Sequence, residues 1–390
     1  MKPAGGITIV AIADTHIGAE RHYSTPEEWD APMLEALAYA RASDGILLIA
    51  GDIWDKRSPT PAQYLRAREL LDYGIACVGN HDIGVGKASV PASWSWRGRV
   101  AVPPVSTVEM RGLQIVMLPW PRPVDYLTAD EISAYPMERR ISLTRDRVME
   151  ALRREVAALD PALPAVLLGH AMVSFGPARV DGPGLQLLGK DVVLDAHDLD
   201  ELALQALYLG HVHRRMGPYV GSTQPTDWGE ADDTKAFTVT RLREPTWTAE
   251  HETVPYKSSR RLLLIEGRWA GGRDEQAVDE WLTSLTATNP HAKNADVVRV
   301  EATVAEGTPF PAADIRRALE ATGVIVESVS AKVIGERKRR VENVEGLDLT
   351  QPAVAAQAWT EQRGLSEKLA NTVVERINSH DIAATDAARN

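Results

Sequence analysis

Short apolar runs that stop abruptly at metal-ligand residue types are the strongest constraint on this fold. ITIVAIA (7–13) ends at Asp14-Thr15-His16, ILLIA (46–50) at Gly51-Asp52, and GIACV (74–78) at Gly79-Asn80-His81-Asp82. AVLLG (165–169) ends at His170 and ALYLG (206–210) at His211-Val212-His213, while a sixth run, LQIVMLP (113–119), has no such ending. Continuous apolar runs of this length fit strands covered on both faces. Helical patterns lie between several of them. APMLEALAYARA (31–42) and PAQYLRARELLDYG (61–74) carry apolar residues at three- and four-residue spacing, and the second opens near Pro61 and stops at Gly74. Residues 141–159 read as a further amphipathic helix. The pattern predicts an α/β layered domain with two packed sheets, in which 113–119 and 236–242 are edge or second-sheet strands.

At 390 residues the chain is too long for one ordinary core, and its pattern changes after about residue 255. RRLLLIEG (260–267), ADVVRVEATV (295–304) and VIVESVSAKVI (324–334) read as strands. DEQAVDEWLTSL (274–285) and PAADIRRALEATG (311–323) read as helices, giving a βαβαβ unit without a ligand cluster. The expected divisions are therefore 1–255, 256–335 and 336–390. The last contains a basic ERKRR patch (336–340) and a helical segment from about 353 to 378.

Composition narrows the class. Hydrophobic residues at 44% and charged residues at 25% are globular values. No apolar run approaches the roughly 20 residues of a membrane helix, so no membrane partner is expected. The N-terminal apolar stretch runs straight into Asp14 and His16 and reads as a first strand rather than a signal peptide. The single cysteine, Cys77, rules out an internal disulfide and a thiolate zinc cage, which fits a cytoplasmic location. A formal net charge of -11 excludes a simple basic nucleic-acid binder. It leaves room for a phosphate-handling enzyme, because bound cations supply positive charge locally.

Ligands gather outside the carboxyl ends of strands in α/β sheets, so the five endings are expected to be neighbours in space. Asp14, His16, Asp52, Asn80, His170, His211 and His213 exceed the four to six ligands of a single ion. They suit two divalent metal ions with one carboxylate shared. Mixed nitrogen and oxygen donors favour manganese, iron or zinc over calcium. Two such ions can hold the attacking and leaving oxygens of an in-line phosphoryl displacement.

The order of these motifs resembles the calcineurin-like metallophosphoesterases, and more narrowly their SbcD-type nuclease subunits. The narrower resemblance rests on GDIWDKRSPTP (51–61), LPWPRP (118–123) and YVGSTQPTDWGE (219–230). It covers about 1–245 and extends more loosely to a small α+β capping domain and a C-terminal helix. It implies a β-sandwich flanked by helices. It assigns Asp14, His16 and His213 to one ion, Asn80, His170 and His211 to the other, and Asp52 to both, with Mn2+ the expected metal. It makes His81 a general acid or transition-state stabiliser and Asp82 the carboxylate that holds its tautomer. It further implies DNA as substrate, cleaved as an exonuclease on duplex ends and an endonuclease on single strands or hairpins. The C-terminal helical segment would bind an SbcC-like SMC-type ATPase, and a homodimer is open to the assembly.

Phosphoprotein phosphatases share the scaffold but resemble a pattern with Arg directly after the second-motif Asp and Glu ending the Asn-His motif. Here Asp55 is followed by Lys56 and Arg57, and the third motif ends in Asp82. Two other readings are a small-molecule or cyclic-nucleotide phosphodiesterase and a non-catalytic DNA-end scaffold. An intact set of seven ligands speaks against the second. Near the motifs, Arg214 and Arg215 are candidates for substrate contact. Trp54 and Trp120 read as core, whereas Trp94 and Trp96 could equally stack on an unpaired base.

Overall fold

The computed structural model describes residues 6–19, 21, 23–83, 99–175, 191–272, 275–287 and 295–334. The chain begins with β1 (Ile7–Ile12), α1 (Pro26–Ala42), β2 (Ile46–Ala50), α2 (Pro61–Tyr73), β3 (Ile75–Cys77) and β4 (Val100–Ala101). Both long helices start as their sequences dictate. Thr25 and Thr60 cap them, Glu28 and Gln63 close reciprocal capping boxes, and a proline occupies the first turn. β1 to β4 run parallel, so the chain returns each time to the same end of the sheet.

The second sheet follows. It contains β5 (Ser106–Met110) and β6 (Leu113–Leu118), then, after α3 (Pro123–Tyr126), α4 (Ala129–Ala134) and α5 (Met137–Ala157), β7 (Ala165–His170). A small pair, β8 (Met172–Ser174) and β9 (Val193–Asp195), and α6 (Ala196–Asp200) lead to β10 (Ala206–Gly210). β11 (Ala236–Arg243) and β12 (Thr248–Pro255) then return to the first sheet. The strand orders are β12-β11-β1-β2-β3-β4 and β10-β7-β6-β5. The sandwich expectation holds, with one change. Residues 113–118 belong to the second sheet as an interior strand, but 236–243 pairs antiparallel with β1 inside the first.

Burial on both faces explains the unbroken apolar runs. Ile9, Ala11, Ile46 and Leu48 point between the sheets and pack on Ile115, Met117, Val166 and Leu168. Their neighbours Val10, Ile12, Leu47 and Ile49 point outward against Met33, Leu37 and Leu70 of α1 and α2. The second sheet repeats this, with Val116 and Leu167 packed on Val148 and Leu152 of α5. Each large apolar side chain so buried contributes about 1.5–3 kcal/mol, which a single uncovered sheet would forfeit on one face.

A third sheet, order β13-β14-β15, is built from β13 (Leu262–Trp269), β14 (Val297–Ala305) and β15 (Ile325–Ile334), with α7 (Glu275–Thr286) and α8 (Ala312–Glu320) between them. Leu263, Ile265, Trp269, Val298, Val300 and Ile315 form its core. Tyr23, Leu262 and Val297 pack with Trp228 and Ala231, and the Arg299 guanidinium lies 4.5 Å above the Trp228 ring. No helix among the described residues is long and apolar enough to cross a membrane. The ERKRR patch, the C-terminal helical segment, Trp94 and Trp96 lie outside the described residues.

Candidate metal centre

The two sheets are pinched together at their carboxyl ends. The His170 Nδ1–H donates across the gap to the Ala50 carbonyl at 2.8 Å. The loops after β1 and β2 are knitted by backbone bonds, Asp14 N–H to Gly51 O at 3.1 Å and His16 N–H to Asp52 O at 3.0 Å. Gly51 sits at φ +82°, where a Cβ would come within 2.3 Å of His170 Nδ1, so only glycine fits. Four of the eight described non-glycine residues with positive φ are Asp14, His16, Asp52 and His211. Such backbone costs about 1–3 kcal/mol per residue and clusters where surrounding structure holds a functional arrangement in place.

All seven expected ligands meet here. His16 Nε2 and His213 Nε2 are 3.1 Å apart, and one ligand atom from each of Asp14, His16 and His213 lies within 4.8 Å of the others. Asp14, Asp52 and His170 form a second such group. Asn80 Oδ1 is 3.0 Å from both His170 Nε2 and His211 Nδ1. Asp52 Oδ2 lies between the two sides, 3.4 Å from His170 Nε2 and 4.0 Å from His16 Nε2. Its Oδ1 accepts the His81 amide at 2.8 Å, and the Asp14 carboxylate accepts the His211 amide at 3.0 Å.

The donor set fits cations. His213 gives its Nδ1 proton to Thr226 Oγ1 at 2.6 Å and Glu230 Oε1 at 3.1 Å, which leaves the Nε2 lone pair facing His16. His16 Nδ1 is buried without a hydrogen bond. Burial, aided by neighbouring imidazoles, lowers the pKa of His16 and His211 to about 3, so both are neutral and free to ligate. Burial works the same way on His170, but the carboxylates of Asp52 and Asp14 outweigh it and hold the pKa up at about 9. Positive charge is therefore strongly favoured between those carboxylates, and a divalent ion can replace the proton. Burial would raise Asp52, yet His170 and His16 hold it well below the usual carboxylate range.

One expected pairing is corrected. Asp82 does not orient His81. Its carboxylate is fully buried and accepts three backbone amides, from Gly79 at 2.8 Å, Trp54 at 3.0 Å and Ile53 at 3.2 Å. It ties the loops after β2 and β3 together, although burial and the Asp52 charge push its pKa up to about 7. The exposed His81 instead donates from Nδ1 to the Asp55 carbonyl at 2.8 Å, which aims Nε2 away from that bond. Its ring stands edge-on to His16 with centroids 4.9 Å apart.

Sequence reading missed Glu230. It accepts His213, Thr226, Ser222 and the buried Lys235 ammonium, the last at 2.5 Å. Its only signal was its place at the end of the 219–230 segment. Glu230→Gln is expected to weaken binding of the ion at His213 by about 10–100-fold. Calorimetric metal titration reads that loss, with circular dichroism checking that the buried Lys235 still leaves a folded chain. Trp120 is buried and tilts over His211 with centroids 4.7 Å apart, while Trp54 stacks on Tyr64. Both are packing residues. Arg214 is turned to Asp233 and Arg215 to Thr238 and the Val220 carbonyl, so neither guanidinium contacts the ligand cluster.

A calcineurin-like phosphoesterase family model matches residues 7–215, which takes in all seven expected ligands. The chain belongs to the calcineurin-like phosphoesterase family. Members hydrolyse phosphoesters with a dinuclear metal centre, and the converging groups around Asp52 are this chain's candidate for it. Among solved structures the chain is similar to a phosphopantetheinyl hydrolase from Mycobacterium tuberculosis. The identity is 16% and the TM-score 0.32, over 63% of this chain and 96% of that one. No curated protein sequence matches the chain.

Proposed function

We propose that this phosphoesterase is a two-metal DNA nuclease of the SbcD type, with Mn2+ as its metal. It would act as an exonuclease on duplex ends and an endonuclease on single strands or hairpins. The reading is carried by the position of Asp52 between two ligand groups, Asp14, His16 and His213 on one side and Asn80, His170 and His211 on the other. Its DNA-directed part rests on the 51–61, 118–123 and 219–230 segments. The last of these carries Glu230 against His213 and Trp228 against the third sheet. When bound, the ions supply Lewis-acid polarisation of the phosphate and lower the pKa of a coordinated water.

The chain's own residues set the geometry. His170 and His213 are locked in orientation by Ala50 and Glu230. His81, exposed at the rim and held by Asp55, protonates the leaving oxygen. An SbcC-like ATPase would control access through the C-terminal segment.

His81→Ala is expected to keep the metal content and lose about 10²–10⁴-fold in cleavage rate. A parallel drop in metal would make His81 a ligand, a role its nearness to His16 and Asp52 also permits. The function itself is tested by Mn2+-dependent release of nucleotides from linear duplex DNA and nicking of hairpins, with and without an SMC-type ATPase. A chromogenic small phosphodiester runs alongside. Fast hydrolysis of the ester with intact DNA in every condition would reverse the assignment.

A further inference from the structure

A cavity of about 480 Å3 opens beside β10 and β11, and none of the seven ligands lines it. Val173, Phe175, Leu199 and Tyr219 give it apolar walls, and Arg215 supplies its positive charge. Arg215 is the exception among the neighbouring arginines. Arg214, Arg241 and Arg243 each hold a carboxylate at 2.8 Å, from Asp233, Glu252 and Glu250. Among the described residues the half-buried Arg215 bonds only neutral oxygens, the Val220 carbonyl at 3.3 Å and Thr238 Oγ1 at 2.9 Å. Among the described residues it has no carboxylate partner, in a chain whose formal net charge is -11.

A half-buried cation without a counter-charge is unfavourable. Two bonds leave most of its five-donor fork available for a planar or tetrahedral anion. At the rim stand the exposed His251, whose Nδ1 is 2.9 Å from Thr240 Oγ1, and Asp200, which can accept from a hydroxyl or amine on a ligand. The volume falls in the range of small-molecule pockets.

We propose that this cavity binds a small organic anion, with its carboxylate or phosphate head on Arg215 and its apolar body against Phe175 and Tyr219. None of the seven expected ligands lines the site, and the proposal does not depend on the DNA-nuclease reading. Two probes distinguish the head groups: benzoate as the carboxylate and deoxyadenosine monophosphate as the phosphate. Each is titrated by calorimetry into metal-loaded full-length wild type, Arg215→Gln and Phe175→Ala.

At least one probe should bind wild type, weaken tenfold or more in Arg215→Gln, and weaken several-fold in Phe175→Ala. The melting temperatures should be unchanged. Phosphate held at the metal ions instead would survive both substitutions. Failure of both probes to bind wild type overturns the proposal, as does equal affinity in the two variants. If Arg215→Gln does not fold, Phe175→Ala decides, because its side chain is exposed and its loss leaves the core intact; unchanged affinity there overturns the proposal by itself.

Discussion

Asp52→Asn is expected to leave the chain folded, strip it of metal and slow phosphoester hydrolysis by about a thousandfold or more. The substitution keeps an oxygen that can accept the His81 amide, so the loop after β3 retains its anchor. It removes the charge that faces His170 at 3.4 Å and His16 at 4.0 Å. Asp14 also comes near both groups, 3.8 Å from His170 Nδ1 and within 4.8 Å of His16 and His213, but of the two only Asp52 also faces the His81 side of the centre. Both ions should therefore weaken together. Losing several kcal/mol of charge stabilisation at about 1.36 kcal/mol per factor of ten gives the stated rate loss. Metal analysis by mass spectrometry and a nuclease assay on the same preparation read the two effects. Full metal content with lost activity would make Asp52 a catalytic group rather than a shared ligand, and wild-type activity would remove it from the site.

The convergence of the expected ligands was legible because their signal is local. Each strand is a short apolar run, and each ligand stands at its end, so order along the chain was enough to gather Asp14, Asp52, Asn80, His170 and the His211–His213 pair. The start of α2 was legible for the same reason, at Pro61, whereas α1 begins at Pro26, ahead of the periodic run read from 31. The partners of those ligands were not local. The acceptor that holds His170 is a backbone carbonyl 120 residues away, and no side-chain pattern marks a carbonyl. Asp82 follows His81 directly, and the family resemblance implied that the two pair. The tight turn sends its carboxylate inward to the Ile53 and Trp54 amides, where three otherwise unsatisfied buried donors outweigh one exposed imidazole. Sheet membership was equally hidden for residues 236–243. That strand, AFTVTRLR, mixes apolar residues with threonine and arginine, and only long-range pairing with β1 decides which sheet it joins.

Gly210→Ala should be the most damaging glycine-to-alanine change among the described residues. Gly210 ends β10 where the two sheets close on each other. A Cβ there would lie 2.0 Å from the Ala50 carbonyl oxygen and 2.8 Å from His170 Nδ1. Neither neighbour can yield cheaply. Ala50 is the last residue of a fully buried strand, and its carbonyl is the acceptor that fixes the His170 ring. Moving the sheets apart would loosen the apolar seam between them and draw Asp52 and His170 away from each other. Overpacking of a rigid core costs about 1–3 kcal/mol, and contact with backbone belongs at the upper end or beyond. The melting temperature should fall by roughly 5 °C or more, and metal affinity should fall with it, although no ligand has been changed. Gly112→Ala is the matched control, because nothing lies within 4 Å of the added methyl and its positive φ alone is strained. If Gly210→Ala loses no more metal than that control, the pinch between the sheets is not what brings the two halves of the centre together.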